Sequence, residues 1–296
     1  MNLPVHETAP SIALWPGLRH GLAGIRLVIC DLWGVVHDGL QLSANAIEAL
    51  EALNQHGIPH VLLTNAPRPR SFVQQQLAVM GLASALMEKI ITSGSVSRSL
   101  VRTDFAGLRC YHLGPETDEN LLEGLPVTMV ESPGQADVIL ASGLDFETPA
   151  EHVDYLRAAA ERQVPFICAN PDRVVHVGDR LWLCPGLIAD IYEGLGGPVI
   201  HTGKPAAPVF QECLTLSGMV DLQAENILVI GDGLQTDILG ANGFGARSLL
   251  ISGGIHRVEL AGVEDEGAGF ISRQQFTGLT GQESAVPDAV MPRLEW

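Results

Sequence analysis

Arg26-Leu27-Val28-Ile29-Cys30-Asp31-Leu32-Trp33-Gly34-Val35-Val36-His37-Asp38-Gly39 is the stretch from which the fold is read. A short β-prone apolar run delivers one aspartate to its C-terminal end, and the chain then breaks at Gly34 and again at Asp38-Gly39. A carboxylate on the tip of a buried strand is costly unless something uses its charge. A metal ion and an electrophile are the obvious users.

Outward from this strand, the pattern alternates. Ile47, Leu50 and Leu53 share one face of a helix predicted over 44–56, with Glu48 and Glu51 off it and Gly57 as its stop. A second strand over 59–63 ends at Thr64-Asn65. Val73, Leu77 and Met80 mark the next helix, closed by Gly81, and a third strand covers 89–92. Strand and helix in alternation imply a parallel sheet covered on both faces. Ahead of it, residues 1–24 predict an extended arm with a short helix.

The middle breaks the alternation. Short strands are predicted over 109–113, 126–130, 137–141 and 165–169. Thr148-Pro149-Ala150-Glu151 reads as a capping box opening a helix whose apolar face is Val153, Leu156 and Ala160. Residues 174–177 and 181–183 flank Gly178-Asp179, a tight hairpin. Alternation resumes with strands over 199–202, 226–230 and 247–251 and helices over 206–217 and 235–242. The C-terminal stretch predicts one short helix and a loosely packed tail. The reading is an α/β fold: a Rossmann-like parallel-sheet core, 1–93 and 198–296, interrupted by a smaller α/β cap domain, 94–197.

Composition narrows the function classes. The chain is 46% hydrophobic and 17% charged, enough apolar content for a large core rather than disorder. A net charge of −17 argues against nonspecific nucleic-acid or anionic-membrane binding. No window reaches the ~18 apolar residues of a membrane span. Pro4, Glu7 and Pro10 stand where a signal peptide needs a basic start and an apolar run. The five cysteines (Cys30, Cys110, Cys168, Cys184, Cys213) form no CxxC pair and read as buried thiols of a cytoplasmic protein.

Ligands of open parallel sheets bind beyond the carboxyl ends of the strands. The residues predicted there are Asp31, Thr64-Asn65, Gly203-Lys204-Pro205 and Gly231-Asp232-Gly233, with Asp237 five positions past Asp232. Asp31 and Asp232 make a hard-oxygen site suited to Mg²⁺. Thr64 and its backbone N–H suit a phosphoryl oxygen, and Lys204 supplies the cation that neutralises phosphate. Asp31 is then placed to attack as a carboxylate nucleophile, forming an aspartyl-phosphate. The chain uses two lysines, Lys89 and Lys204, against fifteen arginines, so a lysine between Gly203 and Pro205 points to a need for a compact point charge.

These residues resemble the haloacid dehalogenase (HAD) superfamily. Asp31 to Gly39 is similar to its first motif, Thr64-Asn65 to its second, Lys204 to its third and Gly231 to Asp237 to its fourth. Order and spacing resemble the class II subgroup with a large α/β cap, which includes p-nitrophenyl phosphate, pyridoxal phosphate and nucleotide or sugar phosphatases. Ala169-Asn170-Pro171-Asp172 resembles a stretch near the end of that cap. The resemblance implies a Mg²⁺-dependent hydrolase of small phosphorylated metabolites. Asp31 is its nucleophile and metal ligand. The Trp33 carbonyl and Asp232 are further metal ligands, with Asp237 acting through a metal-bound water or by orienting Lys204. Thr64, Asn65 and Lys204 bind phosphate. A homodimer formed through the cap is a further expectation.

One position departs from the phosphatase pattern. Its second aspartate, which protonates the leaving oxygen and later activates water, is here Trp33. An indole does no acid–base work near pH 7, and such help is typically worth 10²–10⁴-fold. Slow turnover, or a phosphate- and metal-binding protein with little turnover, or a hydrolase of a C–P or C–halogen substrate, are therefore the alternatives. His37 and Asp38 are stand-ins for the missing acid, although the turn explains Asp38-Gly39 more simply. Arg68 and Arg70 are candidates for substrate phosphate, with solvated arms as the simpler reading. His112, Asp145, Asn170 and His176 are the cap residues that could face a substrate, each more simply structural.

Overall fold

The apolar runs 27–30 and 227–230 carry no polar alternation, the pattern of parallel strands buried on both faces. Both are strands, fully buried along their length. The structure, a computed structural model, describes residues 11–177, 180–263 and 269–296. In chain order it opens with β1 (Ser11–Leu14), β2 (Leu27–Asp31), α1 (Ala44–Gln55), β3 (His60–Thr64), α2 (Arg70–Met80), β4 (Ile90–Thr92) and α3 (Ser93–Asp104). The middle holds β5 (Arg109–Leu113), β6 (Thr128–Val130), β7 (Val138–Ala141), α4 (His152–Glu161), β8 (Phe166–Cys168), β9 (Val174–Val177), β10 (Arg180–Leu183) and α5 (Gly186–Gly194). It finishes with β11 (Val199–His201), α6 (Ala207–Ser217), β12 (Ile227–Gly231), α7 (Leu239–Phe244), β13 (Arg247–Ile251), β14 (Phe270–Ser272), α8 (Arg273–Thr280) and β15 (Ala289–Met291).

The chain forms two compact units, one of residues 1–37, 43–60 and 222–296 and one of 38–42 and 61–221. In the first, the strands lie in the order β14-β1-β15-β13-β12-β2. All neighbours are parallel except β1 and β14. The register sets Ile230 against Cys30, so the β2 and β12 ends lie side by side. Ser43 caps α1, accepting from the Ala46 N–H at 3.4 Å, and the helix buries Ala46, Ala49, Leu50 and Leu53. A second cluster is built from Ile12, Leu250, Ile271, Phe276 and Val290.

That cluster corrects the reading of both chain ends. The predicted arm contains β1, and the predicted loose tail contains β14, α8 and β15, with Ala289, Val290, Met291 and Leu294 buried. Three- and four-residue strands show no period of their own; pairing with sequence-distant strands makes them.

In the second unit β3 and β4 pair in parallel. A separate five-stranded sheet runs β6-β5-β7-β8-β11, every pair parallel. Its two faces are covered by a cluster around Leu156, Phe166, Ile188 and Tyr192 and one around Val101, Cys110, Leu140 and Ile167. The capping box at Thr148 is present and opens a 3₁₀ turn that continues into α4. β9 and β10 form an antiparallel pair; the Gly178-Asp179 turn read between them lies outside the described residues. Five-strand order and covered faces follow the doubly wound plan, with the carboxyl ends of β8 and β11 adjacent.

Candidate active site

β2 ends in Asp31, buried, and the β12 end is followed directly by Asp232. Asp237 lies in a π-turn over Leu234–Ile238 that precedes α7, where the sequence predicted a regular helix. The wider turn brings the Asp237 carboxylate back onto its own entry, where it accepts from the Gly233 N–H at 3.1 Å. One carboxylate oxygen from each of Asp31, Asp232 and Asp237 lies within 4.8 Å of the others. Three close carboxylates repel one another in water, and an oxygen-seeking cation removes that cost. The donor set is all oxygen and hard, which fits Mg²⁺ and no soft metal.

The neighbours of Asp232 are shaped for it. The Ile255 N–H donates to its Oδ2 at 2.9 Å. Gly34 and Gly254 flank the same oxygen, and a Cβ at either position would overlap it. Beside this wall, the Leu234 N–H donates to Nε2 of His256, and burial holds that imidazole's pKa below its usual value. Gly254, Ile255 and His256 went unnoticed in the sequence because a Ser-Gly-Gly run reads as a loop.

The loop after Asp31 is tight. Val36 and His37 N–H both donate to the Leu32 carbonyl, at 2.8 and 3.0 Å, and Gly34 N–H donates to His37 at 2.9 Å. Trp33 and His37 form an isolated bridge, their rings edge to face with centroids 4.7 Å apart. His37 is buried and the half-buried Trp33 indole fills the place beside it. Asp38 caps its own turn, accepting from the Leu40 and Gln41 N–H groups at 2.9 and 2.8 Å. Desolvation raises its pKa, but the hydrogen bonds from Gln41 and Leu40 outweigh that and hold it below the usual carboxylate value.

The second unit assembles the phosphate-type residues. Thr64 closes β3, buried, and its Oγ1 accepts from the Ala66 N–H at 3.2 Å. Asn65 and Lys204 are each 2% exposed. The Asn65 amide accepts the Lys204 N–H at 2.8 Å and donates to the Lys204 carbonyl at 3.3 Å. Below them Thr202 bonds Ser97 and Ser93, at 2.6 and 3.1 Å, tying the loop after β11 to the first turn of α3.

Arg68 and Arg70 have other employment than either reading gave them. Arg68 pairs with buried Asp118 at 2.6 Å and also reaches the Thr117 carbonyl. Arg70 reaches the Glu88 carbonyl. Among the cap candidates, His112 bonds Ser142 at 2.8 Å, and burial keeps its pKa low. Asp145 accepts from the Tyr111 and Tyr155 hydroxyls and the Gly114 N–H, with burial raising its pKa. Asn170 accepts from the Asp172 N–H at 3.1 Å. The His176 side chain lies outside the described residues. The five cysteines are buried and form no disulfide; burial pushes Cys110 and Cys184 up to about 12, far from thiolate chemistry.

The chain is similar to known proteins in sequence and in fold. Residues 28–128 match the family model for haloacid dehalogenase-like hydrolases, and residues 201–272 match a HAD-hydrolase-like model. A solved hydrolase of the haloacid dehalogenase-like family from Brucella suis 1330 is 33% identical, with a TM-score of 0.79 over 95% of this chain and all of that one. Ribonucleotide monophosphatase NagD of Escherichia coli is 28% identical over 245 residues, 79% of this chain and 90% of that protein. A glycerol phosphate phosphatase from Mycobacterium tuberculosis, solved with calcium, is 25% identical, with a TM-score of 0.61 over 80% of this chain and 68% of that one. With a carboxylate on the tip of β2, two more beside it and a relative matched from end to end, the chain belongs to the haloacid dehalogenase-like hydrolases.

Proposed function

We propose that this hydrolase is a phosphatase of small phosphorylated metabolites, working in the cytoplasm. The observation that carries the reading is the carboxylate trio at the ends of two paired parallel strands, Asp31 with Asp232 and Asp237. The names of the relatives support it, two of them phosphatases of phosphate monoesters. Asp31 is the nucleophile: its oxygen bonds to phosphorus as the ester P–O bond breaks, and water then cleaves the acyl phosphate to release phosphate. Mg²⁺, held by Asp31, Asp232 and the Trp33 carbonyl with Asp237 alongside, would neutralise the charge that phosphate brings to this cluster of carboxylates. Thr64, Asn65 and Lys204 bind the phosphoryl oxygens. In the same reading residues 94–197 form the inserted cap, with β11 as the fifth strand of its sheet, and the chain dimerises through the cap.

A second reading has a specific observation behind it. Trp33 gives the leaving oxygen no proton, so binding with little turnover is the alternative. Both are tested by assaying release of phosphate from a panel of monoesters with Mg²⁺. Turnover that Asp31→Asn abolishes is the expected result. Tight trapping of BeF₃⁻ without turnover supports the second reading, and unchanged activity in Asp31→Asn overturns the first.

A further inference from the structure

Asn65 holds Lys204 by its main chain, and something must hold Asn65. A primary amide looks nearly the same after a half-turn, so an unsupported one exchanges its donor and acceptor ends. Turned the wrong way, Asn65 would set its NH₂ against the Lys204 N–H and its oxygen against the Lys204 carbonyl. The Lys204 main chain already distinguishes the two ends, one bond being long at 3.3 Å, and the structure adds a stronger constraint: Nδ2 of Asn65 also donates to Oδ1 of Asp172 at 2.9 Å. A carboxylate only accepts, so it fixes which end of the amide faces it.

We propose that Asp172 is a positioning residue for Lys204, acting through the Asn65 amide; the inference rests on the phosphatase reading given above. Asp172 is itself held rigidly. Its N–H donates to Asn170 Oδ1 at 3.1 Å, and its carbonyl accepts from Gly186 at the start of α5, at 3.1 Å. The next residue, Arg173, pairs with Asp190 of α5 at 2.7 Å. Gly203 completes the fit, because a Cβ there would overlap Asn65 Oδ1 and crowd Pro171. The loop after β8 and the loop after β11 thus close around one amide, on adjacent parallel strands. Lys204 is 2% exposed, so its backbone placement decides where its ammonium can reach.

The test is a double-mutant cycle on the full chain, with two readouts: kcat and KM for p-nitrophenyl phosphate, and the rise in Tm on adding inorganic phosphate. Asp172→Ala should raise KM and weaken phosphate binding together, by about 10- to 100-fold, the range for stranding a buried hydrogen-bonding group. Asp172→Asn keeps an acceptor oxygen for Nδ2 and should stay within about threefold of the parent. In an Asn65→Ala background Asp172→Ala should cost less than about twofold further, since the two share one pathway. If Asp172→Ala fails to fold, Asp172→Ser, whose hydroxyl falls short of Asn65, takes its place with the same expectation. Additive effects overturn the proposal, as does an Asp172→Ala protein that behaves as the parent. Equal losses in Asp172→Asn and Asp172→Ala overturn it in favour of a direct role for the Asp172 charge. A parent chain that neither hydrolyses phosphate esters nor binds phosphate overturns the phosphatase reading, and the inference falls with it.

Discussion

Trp33 is where the residue-level chemistry turns. With no acid at this position, the departing oxygen must leave as an anion or take its proton from water. Esters of weakly basic alcohols tolerate that, and alkyl phosphates do not. If Asp31 is the nucleophile proposed above, Trp33→Asp places a carboxyl two residues past it and should raise kcat for alkyl phosphates by about 10²- to 10⁴-fold, the usual worth of general acid–base help. Aryl phosphates should gain much less. A rate ratio between aryl and alkyl esters that is the same in parent and variant counts against this account. The Trp33–His37 ring contact disappears in the variant, so a thermal melt should accompany the kinetics.

At the scale of elements, α8 shows what the C-terminal segment contributes. Ser272 and Gln275 form a reciprocal capping box, which starts an eight-residue helix too short to hold itself together. Its stability comes from Phe276, fully buried against Ile12, Leu250 and Val290. Phe276→Ala should cost about 3–5 kcal/mol in urea unfolding; a cost under ~1 kcal/mol would mean that the helix is not docked there. The same helix marks the limit of legibility. Long apolar runs such as 27–30 and 227–230 announced their strands, and Ser43 and Gly57 announced the ends of α1, because these signals are local. β1, β14 and β15 were invisible because each is three or four residues long and gains its identity from a partner far along the chain. α3 was missed since Ser93, Gly94, Ser95 and Ser97 are poor helix formers; Thr92 caps it and Val101 anchors it. The carboxylates, Thr64, Asn65 and Lys204 were legible from their positions at strand ends. The brace from Asp172 and the wall at Gly254 were not, being contacts between loops with no periodic trace.

Over the whole molecule the charge is −17, yet the titration near neutrality belongs to histidines. Burial lowers the pKa of both His112, in one unit, and His256, in the other. A folded pKa below the unfolded value means that folding opposes protonation. The stability tied to these two groups is therefore full above about pH 6.5, the unfolded histidine value, and falls away as pH drops below it. The urea midpoint should decline between pH 7.5 and 5.5, and His112→Gln with His256→Gln should flatten the decline. A midpoint that is constant in the parent over that range would rule these histidines out as its source.

The parallel pairing of β2 with β12 also sets an order in time. Asp31 is synthesised long before Asp232 and Asp237. Until they follow, Asp31 is a lone aspartate on an apolar run, without the two carboxylates that flank it in the fold. A chain halted before residue 232 lacks two of the three carboxylates. The closing of so distant a pair belongs to the slow, non-local class of folding events. The carboxylate trio exists only once β2 and β12 have come together.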